Sequence, residues 1–237
     1  MEEIGTFYRF KGGSLKKPEI YLGANVSKFQ LPDGQMAWST SPRDYVKNAI
    51  KTVENLLEED GEGYTPKSNV RNPFPKDCKP KLDVTDELDA PMASRFLQLI
   101  SICRWAIKIG QLDIFLETSL LSQYQANPRV GHLEALYHIF AYMKKHPDMG
   151  RIVYDPKDVP VNKDSFASNA DWKDFYGNVR EELPSKMPTP LGNLVTINAF
   201  VDANHAGNVV TCHSHTGSII FVQNALLLYI RNGKTQW

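Results

Sequence analysis

Hydrophobic positions recur along this chain with two different periods, and the changes of period outline its elements. Ile20-Tyr21-Leu22-Gly23-Ala24-Asn25-Val26 mixes strand formers with a glycine, Leu31-Pro32-Asp33-Gly34-Gln35 carries turn chemistry, and Met36-Ala37-Trp38-Ser39 resumes a strand. That pattern predicts a hairpin. Ser41-Pro42 then opens a helix, with Ser41 able to cap and Pro42 losing no needed N–H at the first position. Tyr45, Val46, Ala49, Ile50, Val53, Leu56 and Leu57 recur at intervals of three and four, one apolar stripe that ends at Asp60-Gly61-Glu62-Gly63.

The region 61–92 reads as a linker, broken by Pro66, Pro73, Pro75, Pro80 and Pro91 and with little to fill a core. Residues 93–146 carry the strongest helical signal. Phe96, Leu99, Ile100, Cys103 and Ile107 form one stripe. Leu112, Phe115, Leu116, Leu120 and Tyr124 form a second after Gly110. A third, Leu133, Leu136, Tyr137, Phe140 and Met143, follows Asn127-Pro128. The region 151–193 is again loop-rich. Runs of strand formers at Leu194–Val201, Gly217–Val222 and Leu226–Ile230, set at turn-length spacing, then predict an antiparallel meander of three strands, whose apolar face needs a cover. The expected class is α+β, a helical block followed by an incomplete antiparallel sheet, in segments 1–60, 61–92, 93–150, 151–193 and 194–237.

Charge modifies this picture locally. Lys+Arg and Asp+Glu both total 27, so no global field draws the chain to nucleic acid. Within 93–146, however, Arg95, Arg104, Lys108, Arg129, Lys144 and Lys145 are set against only Asp113, Glu117 and Glu134, while segment 41–92 is acidic. Basic residues interleaved with Trp105, Tyr124, Tyr137 and Tyr142 can track a phosphate backbone and stack on bases; the same pattern also describes a solvated face over an aromatic core.

Three cysteines, Cys78, Cys103 and Cys212, cannot all pair and include no CxxC, which fits a reducing compartment. Cys103 falls on an apolar helix face and reads as an inert thiol. Met1–Thr6 lacks the basic and apolar regions of a signal peptide, and Ala225–Ile230 is too short to span a bilayer, so an intracellular soluble protein, in cytoplasm or nucleus, is expected.

Two further groups could carry chemistry. Asp202, at the end of an apolar strand and followed by Ala203-Asn204-His205-Ala206-Gly207, can present a carboxylate at a sheet edge to a hard cation, or can simply cap a turn. His205, Cys212, His213 and His215 are zinc-ligating types, and His213 and His215 would share a strand face, but their spacing matches no familiar structural zinc pattern. Phosphate-cradling, dinucleotide and nucleophile-elbow motifs do not occur.

One ordered series of motifs has a family likeness. Tyr21-Leu22-Gly23, a Pro-rich linker, Ser94–Ile100, Leu121-Ser122-Gln123-Tyr124, Pro128-Arg129-Val130-Gly131-His132-Leu133-Glu134-Ala135, Tyr142-Met143-Lys144-Lys145, Asp202–Gly207 and Ser214-His215-Thr216-Gly217 together resemble the polyprotein of copia-type retrotransposons. The likeness runs from the end of the reverse transcriptase into the start of RNase H and covers nearly the whole chain.

The resemblance implies a primer-grip hairpin at Tyr21, Leu22 and Gly23. It implies thumb and connection helices over 93–150, with Arg95, Arg104, Lys108, Arg129, Lys144 and Lys145 against an RNA or DNA template–primer. It makes Asp202 the first of the RNase H acids that hold Mg²⁺. The polymerase's paired-aspartate motif and the remaining RNase H acids are absent from the 237 residues, so no turnover is expected from this chain alone.

Two departures point to a decaying element copy. Cys212-His213 stands where the family carries basic residues, and the tail Ile230–Trp237 is one reading-frame shift from the family's Ser-Lys-Arg-Gln-Asn-Thr-Val under one choice of codons. The alternatives are a recruited module that binds nucleic acid without sequence preference, and an unrelated small metal-binding domain built on His205, His213 and His215.

Overall fold

A computed structural model describes residues 19–59, 70–157, 177, 185–187, 195–204 and 214–234, with side chains up to 227. Strands β1 (Ile20–Tyr21), β2 (Ala24–Gln30) and β3 (Met36–Ser41) lead into helix α1 (Arg43–Glu59). Helices α2 (Ala90–Lys108), α3 (Phe115–Leu121) and α4 (Val130–Lys145) follow, then β4 (Ile152–Tyr154). The last described elements are β5 (Ile197–Asn204), β6 (Ser214–Val222) and β7 (Ala225–Lys234). Two antiparallel sheets result, ordered β1-β2-β3-β4 and β5-β6-β7, so the architecture is α+β.

The first strand differs from expectation. Ile20–Val26 is two strands, because Leu22 (φ 51°) and Gly23 (φ 90°) turn the chain back and pair Tyr21 with Ala24. A two-residue hairpin turn needs positive φ at its centre, which glycine supplies freely and leucine adopts under strain. The second turn, at Leu31–Gln35, is where the sequence places it.

Helix α1 begins as its sequence predicts. Ser41 Oγ accepts from the Arg43 N–H at 3.4 Å, and the Pro42 carbonyl accepts from Val46 N–H at 2.9 Å. Its stripe is buried at Val46, Ala49, Ile50 and Val53, with Tyr45, Leu56 and Leu57 at the margin. Helix α2 starts earlier than the periodicity predicts. Asp89 caps it by accepting from Met92 N–H at 2.9 Å, and Pro91 sits in the first turn, where a missing N–H costs nothing. Pro91 therefore opens a helix rather than closing a linker. Helix α4 is the centre of the core, with ten of its sixteen residues buried.

The Pro-rich stretch contributes more to the core than its composition promises. Val70 is buried within it, and Phe74, Cys78 and Leu88 pack against it. The second helical stripe is the larger departure. Short 3₁₀ turns at Leu112–Ile114 and Ser122–Tyr124 bracket α3, and each changes the angular step per residue. The residues facing the core are Ile114, Thr118 and Leu121. Of the predicted stripe, Leu112 and Phe115 also pack against the core, and all five residues, Leu112, Phe115, Leu116, Leu120 and Tyr124, line cavities against β5 and β6. That face is the cover the C-terminal sheet requires. The sheet is also tethered to the first one, since Asn224 Nδ2 donates to Asp155 Oδ2 at 3.2 Å.

Among the described residues no helix is long and apolar enough to cross a membrane.

Candidate nucleic-acid interface

The tip of the β1–β2 hairpin lies on α2. A Cβ on Gly23 would stand 3.7 Å from Trp105 Nε1 and 3.8 Å from the Tyr45 ring, so the turn is seated against both aromatics. Tyr45 in turn donates from its hydroxyl to the Ile102 carbonyl at 3.3 Å, which fixes the start of α1 to α2. Tyr21 and Leu22 project into solvent at 64% and 61% exposure, and Trp105 is 43% exposed. Arg104 adjoins Trp105, and Lys108, three residues on, shares its face; both are exposed. Tyr21, Leu22, Gly23, Arg104 and Lys108 thus belong to one surface that offers apolar and aromatic area beside two cations. Such a surface suits a sugar–phosphate backbone, with charge on the phosphates and ring area on the sugars or bases.

The other basic residues are placed differently. Lys144 Nζ is 2.6 Å from Glu54 Oε1, an exposed pair joining α4 to α1. Arg129 Nη2 is 3.2 Å from Glu87 Oε1, and its Nη1 donates to the Thr85 carbonyl. Arg95 is half-buried on α2, and Lys145 is exposed in the last turn of α4.

Arg129 is one strut of a clasp that sequence reasoning missed. The segment 80–88 wraps the N-terminus of α4. Leu88 N–H donates to the Pro128 carbonyl at 3.0 Å, Val130 N–H to Asp86 at 3.0 Å, and Gly131 N–H to Thr85 Oγ1 at 2.9 Å. Asp83 Oδ1 accepts from both the N–H and the hydroxyl of Thr85, at 2.8 and 2.7 Å. His132 is buried at the centre. Its Nδ1 accepts from Arg129 N–H at 3.1 Å, so the ring proton sits on Nε2 and is donated to the Pro80 carbonyl at 2.9 Å. The Tyr124 ring stacks on it at 4.1 Å. The available signal was Asp83-Val84-Thr85, whose side-chain spacing favours a local Asx turn.

Asp202 lies on β5 opposite Gly217 of β6 and lines a cleft of about 490 Å³. Lys79, Lys81, Gln123, Tyr124, Asn204 and His215 share that cleft. A magnesium pair needs several carboxylates around it, and among the described residues the cleft offers one carboxylate with two lysines. Those residues do not fit a two-ion site. No three His, Cys, Asp or Glu side chains converge on a metal position among the described residues. His205, Cys212 and His213 lie outside the described residues; His215 is on β6, paired with Asn204 and Gly233. An apolar cavity of about 330 Å³, lined by Leu112, Phe115, Phe200, Ile219 and Leu226, adjoins the cleft.

Cys103 is fully buried, and burial pushes its thiol far above the usual range, as expected of an inert core residue. Cys78, half-buried, is raised by the same cause.

Comparison of the chain with family models, curated proteins and solved structures returned no match.

Proposed function

We propose that the chain is a segment of a copia-type retrotransposon polyprotein, from the end of the reverse transcriptase into the start of RNase H. On this reading it lacks turnover of its own and keeps a surface for the backbone of an RNA or DNA template–primer. Strands β5–β7 are the opening of an RNase H-like sheet, and the setting is intracellular, in cytoplasm or nucleus. The observation that carries the binding surface is the seating of Gly23, beside the exposed Tyr21 and Leu22, on Trp105, a partly exposed ring of the helix that also exposes Arg104 and Lys108. A tip held in place by two aromatics loses little freedom on binding, and the flanking cations supply the phosphate contacts.

Binding of the purified chain to an RNA–DNA hybrid, measured across a salt series, tests this. The affinity falls log-linearly with salt, and Arg104→Ala and Lys108→Ala each reduce the slope by about one. An absence of binding at low salt sinks the surface. Magnesium-dependent polymerisation or hydrolysis by the purified chain, abolished by Asp202→Asn, sinks the claim of inactivity.

A further inference from the structure

The outer face of the first sheet carries a row of side chains that the hairpin-tip surface does not use. Lys28 on β2 pairs with Trp38 on β3, and Trp38 pairs with Tyr154 on β4. Residues in such register project from the same face at neighbouring-strand spacing, about 5 Å from one to the next. Trp38 is 42% exposed and Tyr154 44%, while Ala37 and Ser39, on the opposite face of β3, are buried. The two exposed rings are therefore not the margin of a core. Lys28 Nζ stands 5.7 Å from the Trp38 ring centroid, and the Tyr154 hydroxyl is 3.4 Å from Thr40 Oγ1, so both ends of the row are braced. Two acids on loops flanking these strands are already occupied. Asp33 is paired with Lys157, and Asp155 accepts from Asn224.

We propose that this face is a stacking platform for single-stranded nucleic acid, with one base on Tyr154 and a second on Trp38, where it displaces the Lys28 ammonium from the ring onto the adjoining phosphate. Flat rings at adjacent positions on a pleated surface accept unstacked bases of any sequence, and one cation in the row matches the strand's charge. Thr40, on β3 beside the rings, supplies a hydroxyl to a base edge. A duplex cannot use the platform, because its bases are already stacked on one another. The inference deepens the nucleic-acid reading by naming a single-stranded partner, and it rests on that reading only for the partner's class.

The test uses the full chain with two probes, a short single-stranded oligothymidylate and an RNA–DNA hybrid, read by fluorescence anisotropy. Trp38→Ala and Tyr154→Ala each weaken the single strand about five- to tenfold and leave the hybrid within twofold; Trp38→Phe, which keeps a ring, recovers most of the loss. Arg104→Ala shows the reverse selectivity. Undiminished single-strand binding by Trp38→Ala and Tyr154→Ala overturns the platform while leaving the hairpin-tip surface standing. Binding of the hybrid with none of the single strand does the same. Self-association of the wild-type chain that Trp38→Ala abolishes assigns the face to a second copy and also overturns the proposal. Failure of both probes at low salt removes both readings.

Discussion

At the scale of single residues, Gly131 has the least room for a side chain among the described glycines. An added Cβ would lie 2.2 Å from Asp83 Oδ2, and that carboxylate cannot withdraw because Thr85 holds its other oxygen from two donors. Gly131→Ala is expected to destabilise the fold by about 1–3 kcal/mol through overpacking, read as a lower urea midpoint at unchanged m-value. Asp83→Ala in the same chain should relieve the clash and make the two changes non-additive.

Tyr142 gives a second residue-level prediction. Burial, with Asp113 and Glu117 beside it, pushes its hydroxyl up to about 12. In the unfolded chain a tyrosine ionises near pH ~10. Its contribution is therefore complete below that pH. Between the two values the unfolded state sheds the proton first, and stability declines as pH rises through the folded value. Urea midpoints of the wild type and Tyr142→Phe compared at pH 9 and pH 12 should converge toward, or cross in favour of, the variant by on the order of 2 kcal/mol. A gap that stays constant with pH would show that the hydroxyl keeps its ordinary affinity for the proton.

Elements divide into those whose sequence pattern had a single burial partner and those with two. Helix α1 was legible because one stripe meets one core, and α4 because a helix buried nearly all round fits any apolar spacing. Helix α3 was not. It carries two apolar faces, and the 3₁₀ turns that bracket it shift the phase between them, so a single 3.6-residue template finds the face toward the C-terminal sheet and misses Ile114, Thr118 and Leu121. The β1–β2 turn was hidden for a different reason, since Leu22 is a poor turn former by composition and only its partner Gly23 signals the reversal. Of the candidate site, the individual residues Tyr21, Arg104 and Lys108 were legible. Their meeting across Trp105 was not, because a contact between residues more than eighty positions apart leaves no local trace.

The same contact yields an element-level prediction. Trp105→Ala removes the seat of the hairpin turn, so it should weaken hybrid binding by more than the loss of one ring's contact, while the salt slope stays unchanged because no cation is lost. A reduced slope would mean that the turn and the cations are one electrostatic unit. Glu54→Ala, by contrast, breaks an exposed pair and should cost no more than about 1 kcal/mol.

At the scale of the whole molecule, the two sheets touch where β4 meets β7, and the Asp202 cleft lies where the C-terminal sheet faces α3. With one carboxylate and two lysines lining that cleft among the described residues, a divalent cation gains little from them. Millimolar magnesium should therefore leave the melting temperature where an ionic-strength-matched sodium control leaves it. A rise specific to magnesium, lost in Asp202→Asn, would reveal further ligands gathering on that oxygen pair.

The clasp around α4 also ties the molecule's timescales together. Lys79, Pro80 and Lys81 form one wall of the Asp202 cleft, and the Pro80 carbonyl is held by the buried imidazole of His132. That bond and those made by the Leu88, Val130 and Gly131 amides all tie segment 80–88 to the start of α4. Deuterium uptake at those three backbone amides should then rise as a single cooperative step, in which the clasp exchanges as one unit.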